Sequence, residues 1–199
     1  MVDNDFNIAA VVLAAGKSKR MGEPKMTLPF GKGTMVGAVV DTVSHACGCI
    51  SSVTVVLGYH GDAVREALAD FHVNFAINRK PDMGMLCSVK AGLKGAGEAD
   101  AYLICLGDQP QICPDAINEL IECAKQTDKG LIIPTHEGKR GHPILIRAKY
   151  VEEIINLPLT YGLNEILNRH PDDVMEMPFG KPCVTMDIDT PEDYERLRA

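Results

Sequence analysis

The first 25 residues place a wholly apolar segment directly before a loop of small residues and a group of cations. Segment 8–13 carries only aliphatic side chains, as expected for a β-strand that is buried on both faces. Residues 14–16 are Ala-Ala-Gly, so backbone N–H groups there can close on a phosphate without obstruction by bulky side chains. Arg20 and Lys25 then supply positive charge, the guanidinium as a planar fork and the ammonium as a point charge. This order predicts a strand that ends in an anion-binding loop.

A strand, a turn and a solvated basic stretch would have the same composition, and this simpler interpretation stays open at this point. Two familiar phosphate-binding patterns do not fit residues 8–25: the Walker A pattern G-x-x-x-x-G-K-[ST] and the dinucleotide fingerprint G-x-G-x-x-G. Their absence argues against a P-loop protein and against a dinucleotide-dependent oxidoreductase.

The size and charge of the chain limit the classes of function. With 199 residues the chain is most simply one domain, covering residues 1–199, and it is long enough to bury a sizeable core. A formal net charge of −7 argues against nucleic acid as a general partner. No apolar run approaches the roughly 20 residues needed to cross a bilayer, and residues 1–7 are acidic, unlike a signal peptide. We therefore expect a cytoplasmic protein with no nucleic-acid or membrane partner.

Seven cysteines raise the question of a disulfide or metal site. Their number is odd, and Cys105 and Cys123 fall in an apolar strand pattern and a helical pattern, where a reduced cysteine acts as a small hydrophobic side chain. Cys47 and Cys49 form a C-x-C pair, but no second pair stands at zinc-site spacing. We expect reduced structural thiols, with redox sensing by Cys47 and Cys49 as the alternative.

Strand patterns alternate with helical patterns along the chain. The predicted strands are 8–13, 53–57, 73–76, 101–106, 131–134, 143–146, 175–177 and 183–188. The predicted helices are 35–46, 62–69, 86–94, 115–125, 150–156 and 163–169. A last helix should begin at Thr190, because Thr190 offers an N-cap hydroxyl, Pro191 suits the first position and an acid stands three residues after the cap. This alternation predicts an α/β fold with a mostly parallel sheet.

Three aspartates stand where a cation would be needed. Asp108 follows the predicted strand 101–106 and so lies at the carboxyl edge of the sheet, where open parallel sheets bind ligands. A carboxylate that faces a triphosphate is repelled unless a divalent cation bridges the two, and Mg²⁺ is the expected bridge. A turn that Asp108 forms with Pro110 is the alternative. Asp187 and Asp189 are two residues apart at the end of the predicted strand 183–188, so in extended backbone their side chains share one face, and we expect one of them to be a second ligand.

Four motifs in this order resemble one family. Residues 13–25 are L-A-A-G-K-S-K-R-M-G-E-P-K, residues 107–110 are G-D-Q-P, residues 141–143 are G-H-P and residues 187–193 are D-I-D-T-P-E-D. Together they span nearly the whole chain and resemble the molybdopterin (molybdenum cofactor) cytidylyl- and guanylyltransferases. These are nucleotidyltransferases with a glycosyltransferase-A-like fold. The resemblance implies a single-domain, three-layer α/β/α architecture of the Rossmann-like, nucleotide-diphospho-sugar transferase type.

The residues and the resemblance together assign roles in the site. The expected catalytic residues are Arg20, Lys25 and Asp108. The expected nucleotide-binding residues are Leu13, Ala14, Ala15, Gly16, Arg20, Lys25, Gly84 and Ser88. The expected acceptor-binding residues are Gly141 and His142, and the expected metal ligands are Asp108 with Asp187 or Asp189. Without the resemblance, the segment around Gly84 and Ser88 would be an ordinary strand-to-helix loop, and His142 would equally be structural.

The resemblance implies that a phosphate oxygen of the acceptor attacks the α-phosphorus of a nucleoside triphosphate and that pyrophosphate leaves. Catalysis would then consist of positioning and charge neutralisation. Ala15 favours CTP, since guanylyltransferases more often have a second glycine there, and molybdopterin is the implied acceptor. GTP, or another acceptor such as a sugar phosphate or methylerythritol phosphate, stays open. So does a non-catalytic protein that hands the cofactor to a molybdoenzyme or its chaperone, although carboxylates opposite a phosphate loop favour an enzyme.

Overall fold

A computed structural model of the chain describes residues 6–46 and 48–198. The strands are β1 (Ile8–Ala14), β2 (Pro29–Phe30), β3 (Gly33–Thr34), β4 (Ile50–Leu57), β5 (Asn74–Ile77), β6 (Ala101–Leu106), β7 (Leu131–His136), β8 (Lys139–Arg140), β9 (Ile144–Arg147) and β10 (Val174–Pro178). The α-helices are α1 (Met35–Ala46), α2 (Gly61–Ala67), α3 (Met85–Gly95), α4 (Pro114–Gln126), α5 (Val151–Asn156), α6 (Asn164–Arg169) and α7 (Pro191–Leu197).

The strands form a mostly parallel sheet, as predicted. Strands β10, β7, β9, β6, β1, β4 and β5 lie side by side in that order, and β8 pairs with β7. The central strand β1 pairs in parallel with β4 and β6, while β4 pairs in parallel with β5 and β10 with β7. Strand β9 runs antiparallel to both of its neighbours, β6 and β7. Strands β2 and β3 form a separate small hairpin.

Helices cover both faces of the sheet, which gives the three layers that the resemblance implies. Alternate side chains of β1 face two separate cores, because successive side chains of a strand point to opposite faces. Ala10 and Val12 pack into a cluster with α1, α2 and α4, whereas Val11 and Leu13 pack into a cluster with α3, α5 and α6. Helix α3 lies very close to the sheet, since a Cβ added at Gly92 would be 2.2 Å from Val11 Cγ1.

Most predicted elements are present, with ends that differ by a few residues, and α1 and β6 have the predicted bounds. Helix α7 follows Thr190 as predicted, because the Thr190 side chain accepts a hydrogen bond from Asp193 N and the Asp193 carboxylate accepts one from Thr190 N. In the part of the chain that the structure describes, no helix is long and apolar enough to cross a membrane.

The predicted strand 183–188 is wrong. Pro182–Val184 is a 3-10 helix, and the residues after it are irregular. Their backbone groups bond to loops and to a side chain instead of to a neighbouring strand: Val184 O accepts from His142 N, Ile188 N donates to Asp108 O, and Ile188 O accepts from Lys25 Nζ. Val184 and Ile188, two of the β-branched residues that indicated a strand, are nevertheless fully buried in the protein core.

No disulfide bond joins any of the cysteines that the structure describes. Burial raises the pKa of Cys105 to about 12, which keeps this thiol protonated and inert. The sulfur atoms of Cys113 and Cys183 lie 3.0 Å apart, a contact across 70 residues that the sequence did not indicate. Cys47 lies outside the described residues, so the redox alternative for Cys47 and Cys49 stays a prediction.

Candidate active site

A cleft of about 450 Å³ opens at the carboxyl edge of the sheet, where β1 and β6 end. It is lined by the loop after β1, by residues of the segment 81–88, and by the loops that carry the three aspartates. The predicted site residues that line it are Leu13, Ala15, Gly16, Arg20, Lys25, Gly84, Ser88, Asp108, Asp187 and Asp189. The cleft therefore brings together residues that are up to 176 positions apart in the sequence, from Leu13 to Asp189.

Lys25 lies between two of the carboxylates and is only 6% exposed. Its Nζ donates hydrogen bonds to Asp108 Oδ2 at 2.6 Å, to Asp189 Oδ1 at 2.8 Å and to Ile188 O at 3.0 Å. An ammonium has three N–H donors, so each of them has a protein acceptor. Burial by itself lowers the pKa of Lys25, but the charges and hydrogen bonds of Asp108 and Asp189 together raise it above its usual value. Lys25 is therefore a fixed cation.

The other two aspartates have different surroundings. Asp189 pairs with Arg20 at 2.8 Å in addition to Lys25, so two cations hold it. Asp187 forms no ion pair within the described residues, and it accepts a hydrogen bond from Gln109 Nε2 at 2.6 Å. Burial raises the pKa of Asp187 above its usual value, and the charges of Asp108 and Asp189 add to the increase, while the hydrogen bond from Gln109 and the charge of Lys25 oppose it. Among the described residues, Asp187 is therefore the one of these three carboxylates that no cation pairs with.

Ile188 fixes the positions of both neighbouring aspartates. Its side chain is fully buried against Met21, Met35 and Tyr194, and its N–H donates to Asp108 O at 2.9 Å. The same cluster holds α7, because Tyr194 Oη donates to Pro29 O at 2.6 Å. The two carboxylates thus line one cleft, as expected, although the strand from which this was predicted does not exist.

The loop after β1 is shaped by hydrogen bonds of its own. Ser18 has a left-handed φ of 53°, its Oγ accepts from Lys25 N at 3.1 Å, and its carbonyl accepts from the backbone N–H groups of Met21 and Gly22. Gly16 is exposed, and a Cβ added to it would have no protein atom within 4 Å. The backbone at Gly16 is therefore open to a ligand in the cleft.

A second loop closes one side of the cleft. Lys17 forms an ion pair with Asp82 of the 3-10 helix Pro81–Met83, and its ammonium lies 4.3 Å from the ring centroid of Tyr59. Gly84 follows with a φ of +90°, a conformation that favours glycine. The loop after β1 and the loop before α3 are thus connected across the cleft by Lys17.

Ser88 is oriented by a buried asparagine that the sequence analysis missed. Asn78 Nδ2 donates to Ser88 Oγ at 2.9 Å, and Asn78 Oδ1 accepts from Lys80 N at 2.9 Å and from Cys87 Sγ at 3.2 Å. Gln109 was missed as well, although it stands next to Asp108 in the G-D-Q-P motif. A polar residue directly after a strand, as Asn78 is after β5, is the signal that could have found the asparagine.

Three predicted site residues do not line the cleft. Ala14 is buried in the core. Gly141 packs against Val184, where a Cβ would lie 2.2 Å from the carbonyl oxygen, so the position has no room for a side chain. His142 is half-buried and does not line the cleft, and burial lowers its pKa to about 4 even though the charge of Asp108 opposes this. The imidazole is therefore neutral near pH 7.

The donor set suits a divalent cation that also binds phosphate. Among the described residues, no group of three or more His, Cys, Asp or Glu side chains is close enough to hold a metal ion alone. Magnesium needs no such cage, because it is commonly held by one or two carboxylates and completes its shell with phosphate oxygens and water. Asp108 and Asp187 supply hard oxygen atoms, and Asp187 lacks a cation partner within the described chain. The residues present therefore fit Mg²⁺ or a similar ion.

The class of protein that this fold and cleft define is the nucleotidyltransferases: a small-residue loop and two cations face carboxylates at the carboxyl edge of an α/β sheet. Residues 10–174 match the family model described as the MobA-like NTP transferase domain. The chain therefore belongs to the MobA-like NTP transferase family, and it is a nucleotidyltransferase.

Individual relatives agree with this assignment. The chain is 30% identical to the molybdenum cofactor cytidylyltransferase of Escherichia coli K12, over 94% of this chain and 93% of the relative. It is also 30% identical to a probable molybdenum cofactor guanylyltransferase of Mycobacterium avium, over 77% of this chain and 76% of the relative. The crystal structure of Rv0371c from Mycobacterium tuberculosis H37Rv superposes with a TM-score of 0.84 at 29% identity, covering 96% of this chain and 97% of that one. A manganese complex of Rv0371c superposes with a TM-score of 0.78 at 27% identity, covering 96% of this chain and 98% of that one.

Proposed function

We propose that this chain transfers the CMP group of CTP to the phosphate of molybdopterin or the molybdenum cofactor and releases pyrophosphate. The observation that carries the proposal is the contact of Lys25 with Asp108 and Asp189 in a cleft that also contains the loop 14–16. A cleft with fixed cations and carboxylates is suited to a triphosphate and its metal ion. A protein that only binds a nucleotide has no need of this paired arrangement.

The loop after β1 would hold the triphosphate. The backbone around Gly16 is open to the cleft, so its N–H groups can bind phosphate oxygens without a side chain in the way. Arg20 is exposed at the mouth and presents a planar guanidinium, which suits the departing pyrophosphate. On the other side, Ser88 and the backbone at Gly84 would contact the base or the ribose, with Asn78 fixing the Ser88 hydroxyl.

Asp108 and Asp187 would hold a divalent cation, with Mg²⁺ as the proposed ion. Asp187 is the better second ligand, because Asp189 is already paired with Lys25 and Arg20. The manganese complex of the Rv0371c relative supports the use of a divalent ion. When bound, such an ion neutralises charge on the phosphates and orients the acceptor oxygen for in-line attack.

Lys25 would neutralise the charge that grows at the α-phosphate. All three N–H donors of Lys25 have protein acceptors, so the ammonium must give up one of these hydrogen bonds before it can donate to a phosphate oxygen. Asp108 Oδ2 is the acceptor that a bound cation would compete for. The remaining bonds to Asp189 and Ile188 would keep the ammonium in the cleft during this exchange.

The choice of CTP rests on Ala15 in the L-A-A-G motif and on the cytidylyltransferase relative, which matches over nearly the full length of both chains. GTP is the second candidate, since guanylyltransferase relatives are 30% to 33% identical over a shorter stretch of the chain. Acceptor binding by Gly141 and His142 remains a prediction, and neither residue lines the cleft. Delivery of the product to a molybdoenzyme or its chaperone is likewise a proposal.

The test is the release of pyrophosphate by the native chain from CTP, GTP, ATP and UTP, with molybdopterin and Mg²⁺ present and with either omitted as a control. The proposal expects release with CTP that requires both the acceptor and the metal. Release with GTP alone would favour the guanylyltransferase alternative. Tight nucleotide binding without release from any nucleotide would reject molybdopterin as the acceptor and favour a binding protein.

A further inference from the structure

Gln109 is a buried polar side chain to which the proposed reaction assigns no role. It is 3% exposed and directly follows Asp108, and its Nε2 donates to Asp187 Oδ1 at 2.6 Å. Burial of an amide costs free energy unless the amide forms hydrogen bonds, and the bond to Asp187 offsets part of that cost for Gln109. Gln109 thereby joins the two loops that supply the carboxylates of the cleft.

The backbone holds this amide in a fixed place. Gln109 N donates to Leu106 O at 3.3 Å, and Ile112 N donates to Gln109 O at 3.1 Å, so the residue is fixed on both sides. The opposing loop is fixed as well, because Ile188 N donates to Asp108 O at 2.9 Å. A rigid donor therefore faces one oxygen of Asp187, and within the described residues Oδ2 of Asp187 makes no hydrogen bond.

We propose that Gln109 is a positioning residue that holds Oδ1 of Asp187 and so directs the other carboxylate oxygen towards the divalent cation. The inference rests on the proposed function, because it requires a cation at Asp108 and Asp187. Asp189 needs no such partner, since Lys25 and Arg20 already fix it. Loss of a hydrogen bond to a metal-ligating side chain commonly lowers metal affinity by about 10- to 100-fold.

Gln109→Met tests the proposal, because methionine is unbranched and of similar length but cannot donate. Gln111→Met is the matched control: Gln111 is two residues further on, and among the described residues its side-chain amide has no hydrogen-bond partner. Mn²⁺ affinity is measured by electron paramagnetic resonance in the presence of α,β-methylene CTP. We expect Gln109→Met to weaken Mn²⁺ binding about tenfold and Gln111→Met to leave it unchanged.

A double-mutant cycle separates positioning from a merely structural role. In an Asp187→Asn background, Gln109→Met should change Mn²⁺ affinity no further, because the two residues would act as one unit. A persistent effect in that background would overturn the proposal. Gln109→Asn covers the case in which Gln109→Met does not fold, since it keeps an amide that is too short to reach Asp187 and should show the same loss.

Two further outcomes distinguish the inference from the function on which it rests. Equal Mn²⁺ affinity of the native chain and Gln109→Met would overturn the positioning role and leave the proposed function intact. Absence of Mn²⁺ binding by the native chain with the CTP analogue would overturn the metal assignment itself.

Discussion

Lys25 Nζ lies 2.6 Å from Asp108 Oδ2, which joins the loop after β1 to the loop after β6 across 83 residues of sequence. The ammonium is buried, and the carboxylates of Asp108 and Asp189 remain partly exposed to the cleft. The pair is therefore shielded enough to be rigid and open enough for a ligand to reach the carboxylates. This single contact links the stability of the fold to the chemistry of the cleft.

Replacement of Lys25 should destabilise the protein. Lys25→Met leaves Asp108 and Asp189 facing each other without their shared cation, and loss of one partner of a buried pair costs about 3 kcal/mol. Urea unfolding without metal should show this loss, and added Mg²⁺ should recover part of it because a divalent ion can replace the missing charge.

Lys17→Met is the control for that measurement, since Lys17 lies in the same loop but its partner carboxylate, Asp82, is exposed to solvent. Surface pairs contribute little, so its unfolding curve should stay close to that of the native chain. If the two variants are equally stable, Lys25 is not the fixed cation that the geometry indicates.

Gly16→Ala should separate ligand binding from stability. A Cβ at Gly16 meets no protein atom within 4 Å, so the melting temperature should not change. The added methyl group would occupy the space where a phosphate approaches the backbone, and calorimetry should show CTP binding weakened about tenfold, or about 1.4 kcal/mol. Gly33→Ala, a substitution with equally open space in β3, should leave CTP binding unchanged. Native CTP affinity of Gly16→Ala would remove Gly16 from the site.

His142 should make stability depend on pH. Burial lowers its pKa to about 4 in the folded protein, against about 6.5 when unfolded. Between pH 6.5 and pH 4 the unfolded chain therefore binds a proton at His142 that the folded chain does not. The free energy of unfolding should fall as the pH drops through this range, and His142 should not affect it above about pH 6.5. Urea unfolding at pH 7 and pH 5 should show a loss of about 2 kcal/mol that is absent in His142→Gln. An NMR titration of His142 with a midpoint near 6.5 would contradict this prediction.

Much of the fold could be predicted from the sequence, because the patterns that mark strands and helix starts depend on neighbouring residues. The apolar segment before residues 14–16 became β1, and the cap at Thr190 became the start of α7, since each depends only on neighbouring residues. The reversed direction of β9 and the irregular path of residues 185–189 could not be predicted, because both depend on partners far along the chain. The predicted strand 183–188 failed for this reason.

In the candidate site as well, the local motifs could be predicted from the sequence, whereas the contacts between distant loops could not. The motifs predicted that Lys25, Asp108 and one of Asp187 and Asp189 belong to one site, but not that Lys25 would use all its donors on protein acceptors. The contacts of Gln109 with Asp187 and of Asn78 with Ser88 are fixed by packing between loops, and a single sequence does not reveal such pairs.

The central claim is that Asp108 binds the metal ion needed for nucleotidyl transfer. The most direct test compares Mg²⁺-dependent pyrophosphate release from CTP and molybdopterin by the native chain, Asp108→Asn and Asp115→Asn. Asp115 is a matched control, because it lies on α4, outside the cleft, and forms an exposed ion pair with Lys181. We predict that Asp108→Asn loses at least about 100-fold in rate, the scale expected for a group that stabilises transition-state charge, while Asp115→Asn keeps the native rate. A native rate and an unchanged Mg²⁺ requirement in Asp108→Asn would contradict the account.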